Sequence, residues 1–136
     1  WRGRFPRAKP DLTNLLLDIG YTYLFNFIEA MTTIYGFDPY AGFLHQLFFQ
    51  RKSLVCDLME PFRYIIDRRI RKLHDQNQVV PEDFYFQEGK CQIGFEAAKK
   101  YTKFFLKDIL AEKENIFKWC QEFYRELVSR HAVDNI

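Results

Sequence analysis

At 136 residues, 48% hydrophobic and 18% aromatic, the chain can bury a single core and is far too apolar for a disordered segment. A formal net charge of +2 excludes attraction to polyanions by total charge, so any nucleic-acid contact has to come from local clusters of Lys and Arg. Cys56, Cys91 and Cys120 are odd in number, far apart and flanked by apolar residues, which points to buried thiols in a reducing compartment and away from a disulfide framework or zinc site.

The chain opens on Trp1 with no signal-peptide pattern and reads as a piece of a longer cytoplasmic protein. Residues 1–10 carry Arg2, Arg4, Arg7 and Lys9 beside Pro6 and Pro10, the composition of an extended basic linker. A helical domain is expected over 11–136. Its first helix should be capped by Asp11 or Thr13 and stopped by Gly36. Between Leu15 and Tyr35 it is apolar nearly throughout, and at about 1.5 Å per residue it could reach across a bilayer. Asp18 and Glu29 would be costly in lipid, so a helix buried on most sides of a globular bundle is the expectation.

Asp38-Pro39 pairs an N-cap with proline at the first helical position and predicts a short helix running towards His45. Residues 46–52 read as a loop, after which Ser53 can cap a second long helix. On it Leu54, Leu58, Phe62, Ile65, Ile66, Ile70 and Leu73 share one face, while Asp57, Glu60, Tyr64, Asp67 and Arg71 fall on the opposite one. Pro61 interrupts this helix and deprives the Asp57 carbonyl of its usual donor, so the helix either kinks or restarts there. Beyond it, Phe84–Phe86 and Lys90–Ile93 around Gly89 suggest a hairpin. Two amphipathic helices close the chain. The first bears Lys99, Lys100, Lys103 and Lys107 on one face, and the second an apolar stripe through Ile116, Phe117, Cys120, Phe123, Tyr124 and Leu127. The fold class is therefore mainly α: a multi-helix bundle around a long buried central helix, with at most one small β-hairpin.

One imidazole and two carboxylates, with coordination positions left over, suit an oxygen-preferring divalent cation, Mg²⁺ or Mn²⁺. His45, Asp57 and Glu60 are the residues that could supply them. By spacing alone the same residues also fit a capped turn and a solvated helix face. His74 and His131 are assigned to surface or helix-end positions. Arg68, Arg69, Arg71 and Lys72 form a basic run suited to phosphate, and the lysine stripe is a second basic surface that any amphipathic helix could carry.

Three stretches, TNLLLDIGYTYLF, GFDPYAGFLH and SLVCDLMEPFRYIIDRRI, resemble the C-terminal helical domain of the CRISPR-associated adaptation integrase family (Cas one). Asn14, Gly20, Tyr21, Gly36, Asp38, Pro39, Gly42, Phe43, Leu44 and His45 match the family pattern in order, as do Ser53, Leu54, Asp57, Leu58, Met59, Glu60, Phe62 and Arg63. The resemblance implies metal-dependent DNA chemistry: an endonuclease and integrase joining 3′-hydroxyl ends of short double-stranded fragments into CRISPR array DNA by transesterification. It implies His45 and Glu60 as metal ligands, Asp57 as an acid that supports the site or shares the metal, and Arg63 near the site. It also implies a homodimer in the full-length protein and a small ferredoxin-like companion (Cas two), with no membrane. A third ligand, a glutamate, and a β-rich dimerising domain are expected upstream of Trp1, and Gln50, Arg51 and Lys52 stand where the family has a glycine-containing spacer. The fragment alone is thus expected to be inactive or weakly active. The alternative reading is a non-catalytic helical module binding DNA or a protein.

Overall fold

A computed structural model describes residues 3–5, 8–45 and 49–133, with side chains as far as Arg130. The long first helix, α1 (Leu12–Ile34), begins as predicted: the Asp11 carboxylate accepts the Asn14 N–H at 2.8 Å. It ends at Gly36, where the Gly36 and Phe37 amides donate to the Thr33 and Thr32 carbonyls at 3.1 and 3.0 Å. Its burial differs from the expectation. Leu16, Gly20, Leu24, Ile28 and Thr32 form a fully buried stripe at every fourth residue, whereas most of its other faces are half-buried or exposed. Asp18 and Glu29, which argued against a membrane span, are paired with Arg4 and Lys52 respectively. No helix of the described residues is long and apolar enough to cross a membrane.

The chain divides into two compact units, and α1 contributes to both. The first comprises residues through Leu24 and Arg63–Leu110. It contains α3 (Arg63–Asp75), the antiparallel hairpin β1 (Phe84–Gln87) and β2 (Lys90–Ile93), and most of α4 (Phe95–Ala111). Gly20 lets three helices close on one another, since a Cβ there would stand 2.5 Å from Ile66 and 3.2 Å from Phe105. The hairpin pairs Phe84 with Ile93 through Gln87 with Lys90, close to the predicted bounds. Tyr101 is fully buried, and its hydroxyl donates to Asp83 at 2.7 Å while accepting the Val80 amide at 3.1 Å. Two described residues of the leading basic segment are also tied in. The Lys9 carbonyl accepts the Cys91 amide at 2.9 Å, and Arg4 reaches Asp18 at 2.5 Å.

The second unit holds Phe25–Phe62 and the chain from Ala111 on. The short helix expected after Asp38-Pro39 does not form. Asp38 spends its carboxylate on the Tyr40 amide at 2.9 Å, an Asx turn, and residues 41–45 follow as irregular bends. The predicted loop over 46–52 lies partly outside the described residues. α2 (Ser53–Met59) starts one residue before the expected place, with Ser53 inside it and Lys52 at the cap position without a side-chain capping bond. At Pro61 the helix restarts rather than kinks. Glu60–Phe62 is a 3₁₀ turn, and the Glu60 amide takes the Asp57 carbonyl that the proline could not. α5 (Lys113–Val133) buries Ile116 and Cys120 completely. Its rings join an aromatic cluster in which Phe123 stacks on Phe43 at 5.3 Å and meets Phe37 edge-on at 5.4 Å. Cys91 and Cys120 are buried free thiols, and Cys56 is half-buried. Burial pushes the Cys120 thiol up to about 11.

Candidate functional site

Asp57 sits one turn into α2, and only 1% of the residue is exposed. A charge so placed is costly unless it is met by donors, and the bend that follows Gly42 supplies them. Asp57 Oδ2 accepts the Phe43 amide at 2.6 Å and the Leu44 amide at 2.8 Å. Oδ1 accepts the His45 amide at 3.1 Å and the His45 ring at Nδ1. Burial pushes the Asp57 carboxyl upward, but the Leu44 amide, the His45 ring and the Phe43 and His45 amides outweigh it, leaving it below the ordinary aspartate value. An ionised carboxylate only accepts, so the proton of a neutral His45 ring lies on Nδ1 and its lone pair on Nε2.

Gly42 makes this approach possible. A Cβ there would fall 2.5 Å from the Ser53 Cβ and 2.9 Å from Asp57 Oδ2, inside the space the loop needs. Asp57 was expected on a stripe opposite the core. Tyr64, Asp67 and Arg71 are indeed exposed and Glu60 half-buried, but Asp57 turns inward to hold the loop, and the 3₁₀ turn at Glu60–Phe62 breaks the stripe between them. Its four bonds fill the acceptor directions of a carboxylate. Asp57 and His45 are therefore brought together directly, while Glu60 lies in the 3₁₀ turn that follows α2. Among the described residues no cluster of three or more His, Cys, Asp or Glu side chains can hold a metal ion.

The basic residues diverge in their surroundings. Arg63 lies over the Tyr21 ring at 4.7 Å, and Arg68 over the Tyr64 ring at 5.4 Å. Arg69 is engaged by Asp108 through both Nε, at 2.6 Å, and Nη2, so its fork is already filled by a carboxylate. Arg71 and Lys72 are exposed. With Arg4, Arg63 and His74, Arg71 lines an open groove of the first unit, about 1270 Å³ in volume, that also presents Asp67 and Asp75. His74 is at the end of α3, its Nε2 3.0 Å from the Thr13 hydroxyl, as its helix-end assignment expected; the His131 side chain lies outside the described residues. On α4, Lys99 pairs with Glu96 and Lys100 with Asp83. The sequence reading matched Gly42, Phe43 and Leu44 to the family pattern but gave them no role, because that role is carried by backbone rather than by side-chain type.

The family description "CRISPR associated protein Cas1" matches residues 1–107. The chain belongs to the Cas1 family. It is 31% identical over 132 residues to a protein of Methanospirillum hungatei named CRISPR-associated endonuclease Cas1, covering 96% of this chain and 39% of that one. The chain thus spans about two fifths of the length of this Cas1 relative. Two solved structures share the fold. A Cas6-RT-Cas1–Cas2 complex superposes with a TM-score of 0.85 at 21% identity, covering 96% of this chain and 16% of that chain. A casposase bound to an integration product gives 0.81 at 24% identity, over 91% of this chain and 40% of that chain.

Proposed function

We propose that this Cas1-family chain carries part of the catalytic site of a metal-dependent DNA endonuclease and integrase of CRISPR adaptation, one that joins 3′-hydroxyl ends of short DNA fragments into an array by transesterification. The observation that carries the reading is the His45 imidazole, held at Nδ1 by a buried, saturated carboxylate so that Nε2 is the remaining donor. That is how proteins orient a histidine ligand: the second ring nitrogen is given to an acceptor, which fixes the tautomer and the ring plane. The endonuclease name of the M. hungatei relative and the integration product bound by the casposase support the reaction class.

The donors present fit an oxygen-preferring divalent ion as part of a site that further donors would complete. His45 Nε2 and the Glu60 carboxylate would hold it. Bound there, Mg²⁺ or Mn²⁺ would activate the attacking hydroxyl and neutralise charge developing on the phosphoryl group. Asp57 contributes as a positioning residue, keeping the Nδ1 proton in place and the loop closed. Arg63, Arg68, Arg71 and Lys72 would contact phosphates and set the register of the DNA. A homodimer and a small ferredoxin-like companion are the assembly we assign to the full-length protein; the likeness to a Cas1–Cas2 complex supports the companion.

Strand transfer of a short DNA duplex by the intact protein in Mn²⁺ tests the assignment. Ligand removal in His45→Ala or Glu60→Ala should lower the rate by at least about 100-fold, the upper end of what changes beside a metal ligand cost. Unchanged strand transfer in Glu60→Ala rejects Glu60 as a ligand. The second reading, a non-catalytic DNA-binding module, is favoured by the exposed Arg71 and Lys72 and by the absence of a three-ligand cluster among the described residues. It predicts salt-dependent DNA binding that is indifferent to chelator and to both alanine variants.

A further inference from the structure

In the loop that carries His45, the three consecutive amides of residues 43–45 all donate to the Asp57 carboxylate. The loop's side chains are poorly buried: Leu44 is 68% exposed and Phe43 is 53% exposed. Burial therefore gives the loop little hold. What Phe43 does have is one covered ring face. The Phe123 ring stacks on it with centroids 5.3 Å apart and planes 27° from parallel. The same Phe123 ring receives the edge of Phe37, which follows the end of α1, at 5.4 Å. Behind it, α5 is set by Ile116 and Cys120, both without exposed surface.

We propose that Phe123 is a positioning residue for His45: its ring clamps the Phe43–His45 loop by a side chain while Asp57 clamps it by the amides. The two restraints act at different points of the loop, Asp57 on the amides of residues 43–45 and the His45 ring, Phe123 on the Phe43 side chain. Hydrogen bonds to a carboxylate leave the loop able to pivot about that carboxylate. An aromatic stack anchored on a separate helix stops the pivot and so fixes where the imidazole points. Phe123 lies beyond the residues 1–107 that the family description matches, so α5 contributes to the site from outside that stretch. The clamp rests on the reading of His45 as a ligand only for its consequence, not for its existence.

Amide hydrogen exchange and Mn²⁺ titration of the intact protein separate the two. In Phe123→Ala, exchange at the Phe43, Leu44 and His45 amides should quicken by about 2- to 10-fold, the equilibrium equivalent of one aromatic pair. The Ile116 and Cys120 amides should keep their rates, and Mn²⁺ affinity should fall by a similar factor. Phe123→Tyr, which keeps the ring, should restore both, and Phe123→Leu should not. Phe117→Ala, which removes a ring that faces Tyr35 instead, should leave the loop unchanged. Should Phe123→Ala fail to fold, Phe43→Ala removes the exposed half of the same stack and is held to the same outcome. Unaltered exchange at residues 43–45 in a folded variant, or full rescue by leucine, overturns the clamp. Faster exchange with undiminished Mn²⁺ affinity supports the clamp on the loop and overturns its consequence for metal binding, and His45→Ala, which removes the ring itself, then decides whether His45 is the ligand.

Discussion

Each unit tucks a carboxylate under its surface, and the two are met by different kinds of partner. In the first unit Asp108 is held by the Arg69 fork, side chain to side chain, with 15% and 10% of the two side chains exposed. In the second, Asp57 is held by three consecutive backbone amides and an imidazole. The Arg69–Asp108 pair joins α3 to α4, two helices that would exist without it. The amides around Asp57 give shape to a segment with no helix or strand of its own. A carboxylate bound by side chains fastens elements together, whereas one bound by backbone creates a conformation, and here that conformation aims a histidine.

This contrast can be broken most forcefully at Asp57. Asp57→Ala removes the acceptor of three amides and a ring nitrogen, and should cost the second unit about 2–4 kcal/mol in chemical denaturation. Mn²⁺ affinity should fall about 10- to 100-fold with it. Gly42→Ala, which leaves every hydrogen-bonding group in place but closes the gap to Ser53, should reproduce the affinity loss with a smaller effect on stability. Arg69→Ala comes next. It should lower stability of the first unit by about 1–3 kcal/mol, as expected for a lost charged hydrogen bond, while leaving the salt slope of DNA binding alone. Arg71→Ala should do the reverse, reducing that slope by about one. Equal salt slopes for the two variants would remove the distinction between an engaged and an available arginine.

The smallest effect concerns Asp83. The Tyr101 hydroxyl holds its carboxyl below the ordinary value, with burial opposing and Lys100 assisting. A carboxyl lowered on folding stabilises above its unfolded pKa and loses that contribution as pH falls through its folded value. Acid titration of stability should therefore be shallower in Asp83→Asn below about pH 4, the unfolded aspartate range, and unchanged at pH 7 apart from a constant offset.

Much of the fold was legible because its signals are local. The Asp11 cap, the Gly36 stop, the hairpin around Gly89 and the two closing helices all follow from residues within a few positions of the feature. Two features were not legible for one physical reason, competition from distant partners. Asp38-Pro39 carries a sound helix start, but the amides of residues 43–45 are drawn to a carboxylate 12 to 14 positions away. Arg69 belongs to a basic run in sequence, yet its partner lies 39 positions on. For the candidate site, periodicity could place Asp57 and Glu60 a turn apart, and the family pattern could select His45. Neither could say that the peptide groups beside the histidine are what Asp57 binds.

A carboxylate with every acceptor direction spoken for has no near substitute. Asparagine at position 57 would aim hydrogens at donors, and glutamate would carry its oxygens one methylene too far, into the space that only a glycine at position 42 leaves open. Conservative exchange at this pair of positions is thus ruled out by stereochemistry, and a compensated variant would have to change both at once.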